Sequence, residues 1–229
     1  MKQSSSTSYT TGQKITRTLW ITALRIFFKT MGRYKIVGAE NIPAEGALIF
    51  AGNHVSNLDP IFGWMAISPY RHVHGIAKEE LWKNPLFSYL MNAMGCIPVK
   101  RGASDRSMLR TALHVLSQGD CTGIFPEGTR SRNGMLQQAQ PGLALIAAKS
   151  GATVVPVGIV GTYNMMPPGR KFPRPAKLVL AFGRPLCFPP DAPRQQILDD
   201  TMAAIACLLQ QNGWPEALPA AADSPSPQT

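Results

Sequence analysis

The sequence of 229 residues predicts an α/β fold whose sheet is mixed, largely parallel and flanked by helices. Segments with strand character alternate along the chain with segments of helical periodicity, as they do in domains built from βαβ units. Residues 47–51 are apolar throughout, which is typical of a strand buried on both faces of a sheet. The composition agrees, because 45% hydrophobic and 16% charged residues suffice for a core and exclude an intrinsically disordered chain.

The predicted elements run in order from residue 34 to residue 211. Strands at 34–37 and 47–51 come first. A helix then starts at Asp59 and Pro60, since Asp is favoured as an N-cap and Pro at the first helical position. Further strands are predicted at 73–77, 97–99, 121–125, 153–160 and 178–182. Further helices are predicted at 85–94, 104–117, 141–150 and 191–211.

Composition and charge divide the chain into three regions. Residues 1–33 are predicted to form an N-terminal amphipathic, membrane-associating segment, and residues 34–212 to form the α/β domain. Residues 213–229, rich in Pro, Ala and Ser, are expected to be a disordered tail. The 23 Lys and Arg against 13 Asp and Glu give a net charge of +10, so an anionic partner is expected.

The N-terminal segment has the pattern of a helix that lies in a membrane interface. Residues 1–35 carry several cations and no acidic residue, and apolar residues recur at helical spacing opposite the cations. An amphipathic helix packed on its own domain is the alternative. The interfacial helix is the prediction, with membrane contacts from Arg17, Trp20, Arg25, Phe28 and Lys29. A second basic cluster in a Pro-rich loop either touches lipid headgroups or is solvated; it consists of Arg170, Lys171, Arg174 and Lys177.

Three other partner or site classes are not favoured. No recognised nucleic-acid motif is present, so no nucleic-acid partner is expected. The four cysteines are widely spaced, which is typical of reduced thiols in a cytoplasmic protein. His72 and His74 have a spacing that can hold a metal, but no carboxylate or cysteine lies close to them in sequence. No metal site is therefore predicted.

The segment 53–59, Asn-His-Val-Ser-Asn-Leu-Asp, directly follows the buried strand 47–51 and is the first candidate for chemistry. If Asp59 accepts a hydrogen bond from one ring nitrogen of His54, the other nitrogen can take a proton from a hydroxyl. The alternative is a polar turn in which Asp59 only caps the following helix. The two roles are compatible with each other.

Two further segments carry cations at strand ends. In 125–132, Phe-Pro-Glu-Gly-Thr-Arg-Ser-Arg, Gly128 permits close approach of the backbone to a ligand and Arg130 offers a bidentate fork for phosphate. A structural turn with a surface salt bridge is the alternative there. In 97–102, Ile-Pro-Val-Lys-Arg-Gly, two cations either complete a phosphate pocket or form a solvated strand end.

Together these segments resemble the glycerolipid acyltransferases, and in particular the bacterial 1-acyl-sn-glycerol-3-phosphate (lysophosphatidic acid) acyltransferases. The resemblance rests on four ordered blocks at 53–59, 75–102, 125–132 and 153–162, and it extends over residues 34–185. It implies transfer of an acyl group from a thioester, on coenzyme A or acyl carrier protein, to the hydroxyl of a lysophospholipid. No cofactor beyond this co-substrate is implied.

The resemblance also implies roles for individual residues. His54 matches the general base and Asp59 its orienting carboxylate, while Lys78 is a candidate to stabilise the oxyanion. Pro156 matches the block that shapes the acyl-donor side. In the acceptor-phosphate site the resemblance implies that Arg130 binds phosphate and that Glu127 holds the pocket together. The residues that match this site are Arg101, Glu127, Gly128, Thr129 and Arg130.

The expected protein is peripheral or monotopic on the cytoplasmic face of the cell membrane, with membrane lipids and lysophosphatidic acid among its partners. Two alternatives remain for the function. In the first, the acceptor is another lysolipid, such as a lyso-ornithine lipid or another lysophospholipid. In the second, the chain is a non-catalytic module that binds anionic lipid. An intact His54 and Asp59 favour an enzyme.

Overall fold

The structure is a computed structural model that describes residues 11–99 and 105–214. The strands are β1 (Lys35–Val37), β2 (Leu48–Gly52), β3 (Val73–His74), β4 (Ile76–Lys78), β5 (Ile97–Val99), β6 (Cys121–Ile124), β7 (Thr153–Val160) and β8 (Val179–Phe182). The α-helices are α1 (Thr11–Gly32), α2 (Asp59–Ile67), α3 (Pro85–Ala93), α4 (Asp105–Ser117), α5 (Gly142–Ser150), α6 (Thr162–Met165) and α7 (Arg194–Gln211). Short 3₁₀ turns occupy Ala39–Asn41 and Glu79–Lys83.

Six strands form the main sheet in the order β1-β8-β7-β2-β6-β3. Four of its five pairings are parallel, and only β7 with β8 is antiparallel. Strands β4 and β5 pair in parallel as a separate two-stranded sheet. The predicted α/β class with a mixed, largely parallel sheet is confirmed.

Helices cover both faces of the main sheet. Along β2, Leu48 and Phe50 join one hydrophobic cluster, whereas Ile49 and Ala51 join the other, as the two-residue period of a strand requires. The first cluster includes buried residues of α1, α2 and α3, and the second those of α4, α5 and α7. All five residues of β2 are buried, which explains its uninterrupted apolar sequence.

The predicted strand 73–77 is in fact two strands that break at Gly75 and belong to different sheets. A Cβ at position 75 would lie 2.8 Å from the Cys96 Sγ, so glycine leaves room for the Cys96 side chain here. Strand β3 pairs with β6, and the chain then turns away so that β4 pairs with β5.

The last helix begins at Arg194 rather than at the predicted residue 191, because Pro193 has an extended ψ of 131°.

Helix α1 has two apolar sides, and one of them packs on the domain. Phe28 is completely buried and its ring centroid lies 4.9 Å from that of Phe62. The prediction that Phe28 contacts a membrane is therefore wrong. Arg17 and Trp20 are half-buried, and the Arg17 guanidinium lies over the Trp64 ring, 5.4 Å from its centroid. Arg25 and Lys29 are exposed.

The second apolar side of α1 faces outward, with Ile15, Leu19 and Ile26 each more than half exposed. In the part of the chain that the structure describes, no helix is long and apolar enough to cross a membrane. The predicted disordered tail falls almost entirely on residues 215–229, outside the described residues.

Candidate active site

The two segments with the clearest chemical patterns meet at one edge of the main sheet. Segment 53–59 follows β2 and segment 125–132 follows β6, and β2 and β6 are adjacent parallel strands. Because parallel strands end at the same edge, both segments leave the sheet side by side. A backbone hydrogen bond joins them directly, from the Ser131 N–H to the His54 carbonyl at 2.8 Å.

Asn53 directly follows β2, at the point where the backbone turns out of the sheet. Its side-chain amide donates to the Ile159 carbonyl at 2.9 Å and its side-chain oxygen accepts from the Ile159 N–H at 2.7 Å. The side chain therefore takes the place of a ladder pair with β7, and the backbone of residue 54 is free to turn away. Sequence reasoning assigned no role to Asn53; its position as the first polar residue after an apolar strand was the available signal.

The predicted His54–Asp59 pair is formed. The His54 Nδ1 lies 2.9 Å from the Asp59 Oδ2, and that oxygen also accepts the N–H groups of Val55 at 2.6 Å and Ser56 at 2.7 Å. Asp59 is fully buried, whereas the His54 side chain is 17% exposed. Asp59 is the first residue of α2, where the helix dipole stabilises a carboxylate. It makes no capping hydrogen bond, so of its two proposed roles only the orienting one is observed.

The ring of His54 is held from a second side by Phe125. The two rings stack with their centroids 4.0 Å apart and an interplanar angle of 15°. Stacking fixes the plane of the imidazole and the bond to Asp59 fixes its rotation. Since Nδ1 is engaged, Nε2 is the nitrogen that can accept a proton from a substrate.

Glu127 holds the two segments together. Its Oε1 accepts the His54 N–H at 2.7 Å, and its Oε2 accepts the backbone and side-chain N–H groups of Gln137 at 3.0 and 3.1 Å. The carboxylate is 2% exposed, and burial raises its pKa, while these hydrogen bonds and His54 act in the opposite direction. Both of its oxygens are bound within the protein, so in the predicted phosphate-binding segment Glu127 connects the two segments and leaves phosphate contact to its neighbours. Gln137, which sequence reasoning missed, lies in a segment without any motif.

The rest of this turn remains a candidate anion site. Gly128 has a φ of 69°, and a Cβ there would lie 3.0 Å from the Gln140 Cγ, so the turn requires glycine. Gly128 and Thr129 are exposed and Arg130 is half-buried. Within the described residues no hydrogen bond or ion pair engages the Arg130 guanidinium, and its neighbour Ser131 binds the His54 carbonyl. Arg130 is thus adjacent in sequence to Ser131, whose N–H binds the His54 carbonyl.

Three further site residues were predicted from the sequence: Lys78, Arg101 and Pro156. Lys78 ends β4 opposite Val99, and its side chain is not among those that the structure describes. Arg101 lies outside the described residues. Pro156 is buried in β7 opposite Ala51, and its carbonyl accepts the Gly183 N–H at 2.8 Å. The roles assigned to these three stay predictions.

Ser56 is the hydroxyl nearest to the pair in sequence, and it has a structural role. It is fully buried, and its Oγ donates to the Met166 carbonyl at 2.6 Å and accepts the Leu58 N–H at 3.2 Å. A hydroxyl held in this way is not available as a nucleophile. The site therefore offers an oriented imidazole and a neighbouring cation, an arrangement that can take a proton from a hydroxyl.

Comparison with known proteins agrees with this site. The profile of the acyltransferase family matches residues 33–160, which include His54, Asp59 and the segment 125–132. The chain belongs to the acyltransferase family. It resembles the 1-acyl-sn-glycerol-3-phosphate acyltransferase of Bacillus subtilis, with 29% identity over 164 residues that cover 72% of this chain and 79% of that one.

Other members of the acyltransferase family extend the comparison. The chloroplastic 1-acyl-sn-glycerol-3-phosphate acyltransferase LPAT1 of Arabidopsis thaliana is 33% identical over 140 residues, which are 60% of this chain and 38% of that protein. The chain thus spans less than half the length of the plant relative. Among solved structures, the 1-acyl-sn-glycerophosphate (LPA) acyltransferase PlsC from Thermotoga maritima matches with a TM-score of 0.74 and 25% identity. That match covers 88% of this chain and 82% of PlsC.

Proposed function

We propose that this chain transfers a fatty acyl group from an acyl thioester, acyl-CoA or acyl-ACP, to the sn-2 hydroxyl of 1-acylglycerol-3-phosphate, which gives phosphatidic acid. The observation that carries the proposal is the His54–Asp59 pair, with Nδ1 bound to a buried carboxylate and Nε2 left to accept a proton. The names of the relatives in Bacillus and Arabidopsis support the choice of acceptor.

The mechanism is direct transfer without an acyl-enzyme. The His54 Nε2 takes the proton of the acceptor hydroxyl while its oxygen attacks the thioester carbonyl carbon, and a tetrahedral intermediate forms. The intermediate collapses as the C–S bond breaks, and the proton on His54 passes to the departing thiolate. Asp59 stabilises the imidazolium that forms between these two steps. No nucleophilic side chain is needed, which agrees with the buried and hydrogen-bonded Ser56.

Arg130 is proposed to bind the acceptor phosphate. Its guanidinium can form two parallel hydrogen bonds with a phosphate, and the exposed backbone of Gly128 and Thr129 lies in the same turn. Since Ser131 is bonded to the His54 carbonyl, a phosphate held by Arg130 places the glycerol backbone next to the base. Arg101 is proposed as a second phosphate ligand on the grounds of the family resemblance.

A membrane-facing surface is proposed on the outer side of α1. Ile15, Leu19 and Ile26 are 57%, 65% and 60% exposed and lie along one stripe of the helix. Lys14, Arg25 and Lys29 are also exposed, so cations accompany the stripe. A helix with this combination lies in the headgroup region of an anionic bilayer.

A second contact with the bilayer is proposed in the basic loop 166–177. The loop meets the end of α1 through the hydrogen bond from the Ala176 N–H to the Met31 carbonyl, and it carries Phe172, which is 77% exposed. Arg170 and Lys171 are exposed and flank that ring in sequence.

We propose that the protein lies on the cytoplasmic face of the cell membrane, where acyl thioesters are supplied.

The function is tested by following thiol release and lipid product from an acyl thioester with purified protein in anionic vesicles. Lysophosphatidic acid is expected to give phosphatidic acid, and His54→Ala is expected to abolish most of this rate. His114→Ala, at an exposed histidine of α4, is the matched control. Turnover with lyso-ornithine lipid or another lysophospholipid, but not with lysophosphatidic acid, would replace the acceptor. Absence of turnover with every acceptor would contradict catalysis.

Membrane binding is tested by sedimentation with vesicles rich in anionic lipid. The double variant Leu19→Ser and Ile26→Ser is expected to bind at least tenfold more weakly, since each buried aliphatic side chain contributes roughly 1.5–3 kcal/mol. Met108→Ser, at a 40% exposed residue of α4, is the control and should bind as the wild type does. Equal binding by the double variant would place the contact elsewhere.

A further inference from the structure

A second His–Asp cluster lies at the opposite edge of the main sheet from the candidate active site. His72 directly precedes β3, His74 ends β3, and Asp120 directly precedes β6. In the parallel pairing of these strands Val73 lies opposite Cys121, so His72 and Asp120 occupy neighbouring positions one residue earlier. His72 and His74 are two residues apart and therefore share a face of the strand.

The expectation that no metal is bound depended on the lack of a carboxylate near these histidines in sequence. The fold supplies one, because Asp120 is 46 residues away along the chain and its Oδ2 lies 3.2 Å from the His74 Nε2. One ligand atom from each of the three residues lies within 4.8 Å of the other two. All three side chains are partly buried.

The contacts of His74 create a position for a proton or a metal ion in this cluster. Its Nδ1 lies 3.0 Å from the Gly95 carbonyl, which can only accept, so Nδ1 carries the proton. In a neutral ring the Nε2 lone pair then faces a carboxylate oxygen at 3.2 Å, and two acceptors at this distance repel each other. Either a second proton or a metal ion must lie between them.

The surroundings of His74 favour a metal ion over a proton. A histidine that binds a metal typically donates its other N–H to a carbonyl or carboxylate, as His74 does to Gly95. The separation of Nε2 and Oδ2 matches the edge of a tetrahedral zinc site, which is about 3.3 Å for bonds of about 2.0–2.1 Å. Next to this pair the His72 ring lies 4.3 Å from the His74 ring, at 85° to it.

His72 completes the ligand set. One of its ring nitrogens lies within 4.8 Å of the ligand atoms of His74 and Asp120. The positive charge of Arg17 opposes a divalent ion, while Asp120 favours one. Two imidazoles and one carboxylate suit zinc better than the oxygen-seeking calcium or magnesium.

We propose that His72, His74 and Asp120 form a zinc site that fastens the edge strand β3 to the start of β6. Strand β3 has only two residues, and it leads through Gly75 into β4, which ends at Lys78. An ion at this point therefore ties the edge of the main sheet to the segment that carries the second sheet. The proposed role is structural and does not depend on the proposed function.

The test is zinc binding by the full-length protein after removal of metal with a chelator, measured by calorimetry and by competition with a chromophoric chelator. One ion per chain is expected. His72→Gln, His74→Gln and Asp120→Asn are each expected to weaken binding at least tenfold, whereas His114→Gln should leave it unchanged. Zinc should also raise the Tm of the wild type but not of Asp120→Asn, a replacement of the same shape that keeps the fold.

Two outcomes would overturn the proposal. One is absence of zinc binding, in which case the contact between His74 and Asp120 is only a pairing of side chains. The other is binding that the three ligand variants leave unchanged, which would assign the ion to exposed Cys187 or Cys207 or to the candidate active site. Because these measurements do not use turnover, neither outcome bears on the acyl transfer reaction.

Discussion

Two His–Asp pairs lie at opposite edges of the same sheet, and their hydrogen bonds differ. At one edge the His54 Nδ1 binds Asp59, whose Oδ2 also accepts two backbone N–H groups, and Nε2 is left for a substrate. At the other edge the His74 Nδ1 binds the Gly95 carbonyl and its Nε2 faces Asp120. The first arrangement makes a base, whereas the second engages both ring nitrogens and makes a place for a cation.

The largest difference is expected when each histidine is removed. His54→Ala should lower kcat by about 100- to 10,000-fold, the usual contribution of a general base. His74→Gln should keep kcat within about threefold of the wild type at a temperature where both are folded. Steady-state thiol release measures both variants. Equal losses of kcat in the two variants would mean that the catalytic role assigned to His54 is not distinguished from a structural role.

The second largest difference is expected at the carboxylates. Asp59→Asn removes the negative charge beside His54. It also turns its amide NH₂ either towards the N–H groups of Val55 and Ser56 or into the buried position of Oδ1, which has no hydrogen-bond partner, so it should lower kcat at least tenfold. It should also destabilise the fold by about 1–3 kcal/mol, the cost of leaving buried polar groups unpaired. Asp120→Asn should leave kcat unchanged. Kinetics together with urea unfolding measure these effects, and a fully active Asp59→Asn variant would contradict the orienting role.

A smaller effect, with a pH dependence, is expected at Glu127. Glu127→Gln keeps the shape but removes one acceptor from the bonds to His54 and Gln137, so kcat should fall while KM for the acceptor changes little. A phosphate ligand would instead raise KM. This split distinguishes a positioning residue from one that binds the acceptor.

The pH dependence follows from the raised pKa of Glu127 in the folded state. Between its ordinary value of 4.5 and the raised value, the folded protein binds more protons than the unfolded one. The contribution of Glu127 to stability is therefore full below 4.5 and declines as the pH rises through this window. The free energy of unfolding of the wild type relative to Glu127→Gln should fall over the same window. A difference that is flat with pH would contradict the burial of this charge.

The smallest effect concerns the thiols next to the His72–His74–Asp120 cluster. Cys96 follows Gly95 and Cys121 follows Asp120, and burial raises the pKa of each thiol to about 11. At pH 8 only about one such thiol in a thousand is ionised, so both should react with maleimide at least tenfold more slowly than the exposed Cys187 and Cys207. Peptide mass mapping measures the rates. Fast labelling of Cys96 or Cys121 would contradict their burial.

Much of the fold followed from local patterns. The alternation of strand and helix segments, the buried β2 and the start of α2 near Asp59 were all predicted, because hydrophobic periodicity reports how a segment is buried. The predicted positions of β5 (97–99) and β7 (153–160) match the structure residue for residue. It could also have been predicted that segments 53–59 and 125–132 lie close together, since both follow buried strands.

Other features depended on which strands become neighbours. The split at Gly75 arises because Cys96 approaches from a distant segment, and the role of Glu127 arises because His54 and Gln137 both come within hydrogen-bond distance of it. Phe28 has the periodicity of an outward-facing residue as much as of a buried one, and only its packing on Phe62 distinguishes the two.

The sequence by itself determined the class of the fold, the family and the His54–Asp59 pair, because these reside in residue types at short spacing. The tertiary structure alone decided which carboxylate lies beside His74. Asp59 is five residues from His54 and was assigned from sequence, whereas Asp120 reaches His74 only through the pairing of β3 with β6. Contacts between residues far apart in sequence depend on strand order, which the hydrophobic patterns of single segments do not encode.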